Sequence, residues 1–185
     1  QFKINNFLLG PRYAMLRSSF LKKPSKPKGR YLISLGLSNV SEEIIKVYNA
    51  LKDLNISDKM IDIVYDKRIK NIPLKFLNKL NLEEMFKVIC NAEYTFITPG
   101  NISYEVFSVA RKTIMGYVSE SQKAALFEFE KLGLCKSVGN WLDADFKKIN
   151  CWLKESKNCI KSQKEYFVDL KTNTLEKKVK QILSI

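Results

Sequence analysis

The chain has 185 residues, 45% of them apolar, and 32 lysines and arginines stand against 19 aspartates and glutamates for a net charge of +13. This balance excludes a disordered polyelectrolyte and fits one domain with a real core, cut from a larger protein or complete by itself. Histidine is absent, which excludes from these residues a Ser-His-Asp or Cys-His nucleophile system, an HExxH zinc helix and the commonest neutral-pH general base, so any chemistry performed alone rests on carboxylates or lysines.

Residues 1–30 read as a basic entry segment. They hold Lys3, Arg12, Arg17, Lys22, Lys23, Lys26, Lys28 and Arg30 and no acid, and prolines 24 and 27 break the stretch into a solvated connection. The first residue is Gln1 rather than Met, as in a trimmed fragment, and no basic-then-apolar leader or run near the ~20 apolar residues of a membrane span appears.

From residue 31 short β-branched runs alternate with amphipathic stretches, the pattern of βα units around a buried parallel sheet. The first strand is expected at 31–35, followed by a tight loop at Gly36-Leu37-Ser38-Asn39 and a helix capped by Ser41 with a stripe of Ile44, Ile45, Val47, Tyr48 and Leu51. Residues 60–65 form the next strand and 76–80 a short third one, before a helix capped by Asn81 that carries Leu82, Met85, Phe86 and Ile89. A strand at 94–98, a turn at Pro99-Gly100-Asn101 and a helix at 102–110 follow, then a strand at 113–118 and a helix at 122–132 stopped by Gly133. There the βαβ rhythm ends, and residues 143–152, 156–166 and 174–183 read as helices. The division is therefore an entry segment at 1–30, an α/β domain at 31–140 and C-terminal helices at 141–185 packing on it. Cys90, Cys135, Cys151 and Cys159 form no CxxC pair, so they read as thiols in a reducing, cytoplasmic setting, with no metal site.

Ligands of open α/β sheets bind outside the carboxyl ends of strands, where helix N-termini offer free N–H groups. Two loops fit. In the first, Gly36 permits close backbone approach, although a glycine there also suits an ordinary βα turn. In the second, Gly100 lets an anionic group reach the amides of Asn101 and Ile102, and Glu105, one turn on, can accept from vicinal ribose hydroxyls. Taken alone, Glu105 also reads as a first-turn acid that stabilises the helix dipole. The combination suits a nucleotide.

The run Gly10-Pro11-Arg12-Tyr13-Ala14-Met15-Leu16-Arg17, with Phe20 after it, resembles the GPxYxxLRxxF segment that opens the C-terminal half of the UDP-sugar hydrolase family of pseudaminic acid synthesis and its spore-coat-polysaccharide relatives. Ile33 through Asn39 looks like that family's ISFGGSD loop, Gly100 through Glu105 stands in place of its GGSTxxE loop, and Ser121-Gln122 in place of its Asn-Gln pair. The resemblance spans about residues 8–140. It implies the C-terminal, Rossmann-like half of a two-domain GT-B fold, a parallel sheet flanked by helices with extra C-terminal helices, that binds UDP or a UDP-sugar for hydrolysis or glycosyl transfer in surface-glycan synthesis. By the same resemblance Glu105 binds ribose, Gly36, Leu37, Ser38, Gly100, Asn101 and Ile102 meet the pyrophosphate, and Ser121 and Gln122 lie near the sugar. No cofactor is implied. The family's general base is a histidine of an N-terminal domain, the expected partner, so no catalytic residue is expected in this chain. Leu37, Asn39, Pro99 and Asn101 depart from the family pattern, and Pro99 removes one backbone donor. Those departures support a second reading, a degenerate α/β scaffold without nucleotide. The charge alone supports a third, an anionic-membrane or nucleic-acid surface, but no recognition motif with interleaved aromatics accompanies it, so nucleic acid is not expected and membrane contact is at most peripheral.

Overall fold

The computed structural model describes residues 14, 16–36, 39–74 and 76–167. Five strands, β1 (Arg30–Ser34), β2 (Ile61–Ile63), β3 (Ala92–Ile97), β4 (Lys112–Tyr117) and β5 (Lys136–Asn140), form one sheet in the order β2-β1-β3-β4-β5. All four pairings are parallel. The helices are α1 (Ser41–Asp53), α2 (Leu82–Asn91), α3 (Asn101–Ser108), α4 (Glu120–Lys131), α5 (Ile149–Glu155) and α6 (Cys159–Phe167). This is the expected α/β class, a parallel sheet covered on both faces.

Strand periodicity sorts the core into two layers. Ile33, Phe96 and Ile114 face α1 and α5 with Ile44, Val47, Leu51, Trp141 and Trp152, while their neighbours Leu32, Ile97 and Met115 face the other helices with Ile89, Val106, Phe107, Leu126, Phe129 and Phe167. Successive side chains of a strand point to opposite faces, so a sheet buried on both sides needs apolar residues without alternation.

Several expectations are corrected. Residues 76–80 do not form a strand: Leu77 makes one parallel bridge to Val64, and Lys79 turns away at φ 48°. Residues 136–140 do form one, which the sequence pattern had not indicated. Only Val138 in Lys136-Ser137-Val138-Gly139-Asn140 is strongly apolar, and all five residues are half-buried; the strand exists because the open edge of β4 supplies backbone partners. Ser41 is the first helical residue and Val40 stands at the cap, the Ser41 hydroxyl lying 3.2 Å from that of Tyr65. The C-terminal helices divide between the layers, α5 joining one face and Phe167 of α6 the other. The helix expected at 174–183 lies outside the described residues.

Two helix ends match their sequence signals. Asn81 caps α2 with a reciprocal pair, its Oδ1 accepting from Glu84 N at 3.0 Å and Glu84 Oε2 accepting from Asn81 N at 2.8 Å. At the end of α4 Gly133 has φ 68°, its N–H reaches Glu130 O and that of Leu134 reaches Phe129 O, the paired bonds that close a helix through a left-handed glycine.

Candidate functional site at the strand-order reversal

From β1 the chain moves outward to β2, then returns past β1 to β3 and continues to β4 and β5. The direction of strand progression therefore reverses between β1 and β3. In parallel sheets this is where loops from neighbouring strands diverge to opposite faces and leave a crevice. Gly36, after β1, and Gly100, before α3, both border it.

Neither glycine is a packing necessity. A Cβ at Gly36 or at Gly100 would meet no atom within 4 Å. Gly36 has φ 100°, a left-handed conformation that disfavours side chains, so the turn itself requires glycine. The loops are tied together at their bases, where Thr98 Oγ1 donates to Leu35 O at 3.4 Å. Leu37 and Ser38 lie outside the described residues, as do Gly10 through Tyr13 and Met15 of the entry motif.

At the start of α3 the donors are already divided. Pro99 has no N–H, and Gly100 N donates to Ser103 Oγ at 3.1 Å, whose own hydroxyl donates to Thr98 O at 3.2 Å. The N–H groups of Asn101 and Ile102 head the helix and have no intrahelical acceptor by position. Asn101 is exposed and Ile102 half-buried. These two amides, with the positive end of the α3 dipole, are the anion-facing part of the loop.

Glu105 opens the second turn of α3 rather than lying in the first, and it is buried. Its carboxylate is forked by Arg17, Nε to Oε1 at 2.5 Å and Nη2 to Oε2 at 2.9 Å. That bond raises the Arg17 guanidinium above its ordinary pKa. Arg17 sits just before a 3-10 turn, Ser18–Leu21, which is itself anchored. Phe20 is fully buried and meets Phe86 edge-on at 5.3 Å, and Ser19 Oγ donates to Glu83. Among the described residues of the entry segment, Ser19 and Phe20 are buried while Arg17, Ser18 and residues 21–23 are exposed. The segment brings a cation to the carboxylate, a role that the sequence reading had not given to Arg17. The one signal available was an arginine at fixed spacing between Leu16 and the buried Phe20.

Ser121 and Gln122 lie on the first turn of α4, beyond the carboxyl end of β4 and so at the same end of the parallel sheet as Gly36 and Gly100. Gln122 Oε1 accepts from Val118 N at 3.0 Å, which orients its amide and leaves the NH₂ group to donate elsewhere. Ser121 and Ser119 hydroxyls are 2.9 Å apart and exposed. Glu120 is exposed and meets Lys123 at 3.4 Å, a surface pair.

A hollow of about 420 Å³ lies away from this crevice, between Pro24–Pro27, the end of α3 and α6. Its buried cation, Arg111, donates to the carbonyls of Ile89, Cys90, Val109, Ala110 and Ser25. Burial lowers the Arg111 pKa, while these helix-end carbonyls take up its N–H groups. Arg111 is a cap for the ends of α2 and α3. Among the described residues no cluster of three or more His, Cys, Asp or Glu could hold a metal, and no helix is long and apolar enough to cross a membrane.

No protein-family model and no curated protein sequence matches the chain. Solved structures do. A glycosyltransferase of kitacinnamycin superposes with a TM-score of 0.60 at 13% identity over 82% of this chain and 41% of its own. The spinosyn rhamnosyltransferase complexed with thymidine diphosphate gives 0.58 at 8% identity, with 80% and 43% covered. A putative UDP-N-acetylglucosamine 2-epimerase from Listeria monocytogenes gives 0.59 at 12% identity, with 85% and 46% covered. At such identities the likeness concerns the fold: the chain matches one half of a GT-B architecture and spans less than half the length of each of these proteins.

Proposed function

We propose that this chain is the nucleotide-binding half of a GT-B sugar-nucleotide enzyme, a hydrolase or glycosyltransferase whose substrate is a UDP-sugar used in surface-glycan synthesis. One observation carries the reading: a buried, ion-paired carboxylate, Glu105, stands one helical turn behind the helix-heading amides of Asn101 and Ile102, on the helix that begins beside the strand-order reversal. A carboxylate can accept from both vicinal ribose hydroxyls, and a diphosphate is favoured by N–H groups without a bare carboxylate close by. The pairing of Glu105 with Arg17 next to the α3 N-terminus supports both roles. The spinosyn rhamnosyltransferase, of the same half-fold, is complexed with a nucleoside diphosphate. The resemblance of residues 8–140 to the pseudaminic-acid-pathway hydrolase family adds the choice of uridine and the placing of Ser121 and Gln122 near the sugar.

In this reading the diphosphate is held by backbone amides of Asn101, Ile102 and the Gly36–Ser38 loop. With Pro99 lacking an N–H and Gly100 N already bonded to Ser103, the grip is short of donors and affinity is weak. The attacking group and its base come from outside these residues, from an N-terminal domain. Calorimetric or NMR titration with UDP, TDP and ADP tests the proposal, and binding of UDP at submillimolar to millimolar concentration, localised to α3 and the Gly36 loop, is the expected result. No shift with any nucleotide at millimolar concentration sinks it and favours the scaffold reading, which the missing Pro99 donor supports.

A further inference from the structure

Arg17 lies 88 residues from Glu105 in sequence, yet uses two N–H groups in a side-on fork to the two oxygens of its carboxylate. Each carboxylate oxygen has about two acceptor sites, so the fork takes one on each and leaves one on each. It also fixes the plane of the carboxylate, which a lone glutamate on a helix does not fix. The guanidinium is held in turn. Its Cζ lies 5.7 Å from the centroid of the Phe20 ring, and the turn carrying it is fastened to α2 by the Phe20–Phe86 contact and by Ser19 and Lys22 on Glu83.

We infer that Arg17 is a positioning residue for nucleotide selection: it orients the remaining acceptor sites of Glu105 toward a cis-diol and cancels the carboxylate charge beside the amides that receive the diphosphate. The inference rests on the nucleotide reading above and adds two separable effects to it. The fork geometry governs discrimination between ribose and deoxyribose. The charge governs affinity for any nucleoside diphosphate, because an uncompensated carboxylate close to a helix N-terminus repels the anion that the N-terminus attracts.

The test measures UDP and 2′-deoxy-UDP affinity for the full 185-residue chain, unmodified and as Arg17→Met and Arg17→Lys, with circular dichroism as the control for folding. The unmodified chain prefers UDP by about tenfold or more. Arg17→Met weakens both ligands and brings the preference close to unity. Arg17→Lys restores affinity for 2′-deoxy-UDP without restoring the preference, since an ammonium keeps the charge but cannot fork a carboxylate. A folded Arg17→Met chain that retains the original preference overturns the inference and leaves nucleotide binding standing. If that variant does not fold, Arg17→Lys decides: an unchanged preference overturns the inference, a lost one supports it. An unmodified chain that binds UDP and 2′-deoxy-UDP equally also overturns it, and one that binds neither removes the nucleotide reading as well.

Discussion

Glu105 and Arg17 are unequal partners, since the glutamate side chain is 7% exposed and the arginine side chain 50%. Removing either breaks the same pair but strands a different group. Without Glu105 the guanidinium turns to water. Without Arg17 the carboxylate remains in a buried setting, and losing one partner of a fully buried pair costs ~3–5 kcal/mol. Discounted for the exposed half, Arg17→Met is expected to lose about 2–3 kcal/mol and Glu105→Ala about 1 kcal/mol in urea unfolding; equal losses or the reverse order would show that the pair is not asymmetric in this way. For binding the order inverts in importance. Glu105→Ala loses a charged acceptor worth about 1.5–3 kcal/mol of UDP affinity, and Glu105→Gln, which keeps one oxygen, loses less. Unchanged titration curves for both variants would take Glu105 out of the site. The position of the carboxylate was legible from its spacing to Gly100, because helical periodicity is local. Its partner was not, because no sequence rule joins residues 88 apart.

At the level of single elements, β5 is the instructive case, since its formation depends on what β4 presents. A Cβ on Gly116 would lie 2.9 Å from Gly139 O and from the Trp141 ring. Glycine in β4 therefore lets the bulged edge strand and the buried indole close over it, with Trp141 Nε1 donating to Ile97 O at 3.3 Å. Gly116→Ala is expected to cost about 1–3 kcal/mol, as overpacking of tight cores does, and to shift tryptophan emission to the red as Trp141 is displaced. Unaltered stability and emission would mean that β5 moves aside freely. The attachment of α6 has its own signature. Cys135 and Cys159 are buried, burial raises the pKa of both thiols, that of Cys159 to about 11, and Cys151 alone is exposed. Cys151, although its hydrogen bond to Glu155 raises its pKa, is therefore expected to react with a thiol reagent in the native protein, and the other three only on unfolding. Rapid reaction of Cys159 would show that α6 detaches from the sheet. The Asn81 cap and the Gly133 stop were readable because their bonds span three to five residues; β5 was not, because a half-buried edge carries no apolar run.

For the whole molecule the stability profile follows from the ion pairs. Asp58 is lowered by the Lys52 hydrogen bond, Glu83 by that of Lys22, and Glu155 by those of Cys151 and Lys136. Carboxylates lowered in the folded state contribute stability that is present above their ordinary pKa near 4 and is lost as pH falls through the lowered values. The buried thiols work at the other end: their contribution is intact below about pH 9 and is lost as pH rises toward 11 for Cys159. Urea midpoints are expected to be level from about pH 5 to 8 and to fall on both sides, the acid limb shrinking in ~1 M salt because these carboxylates are exposed. A maximum below pH 4 would contradict the assignment. Activity is expected to be missing from residues 1–185 alone. Hydrolysis or transfer needs a base within hydrogen-bond reach of the attacking oxygen; there is no histidine, Glu105 is ion-paired with Arg17 and proposed to be occupied by the ribose, and Glu120 is a surface acid paired with Lys123. Brisk UDP-sugar cleavage by the purified chain, abolished by Glu120→Ala, would place the chemistry in this half after all.

From sequence alone came the α/β class, the positions of four of the five strands, the caps at Asn81 and Gly133, and the two glycine loops that border the crevice. All of these depend on periodicity or on spacings of a few residues, which a linear reading contains. Tertiary structure alone decided that residues 76–80 contribute a single bridge, that 136–140 complete the sheet, that Gly100 N is spent on Ser103, and that Arg17 rather than water faces Glu105. The physical reason is common to them. A backbone edge, a donor's partner and a buried charge are each satisfied by whatever the fold brings near, and in a parallel sheet the nearest neighbour in space is seldom near in the chain.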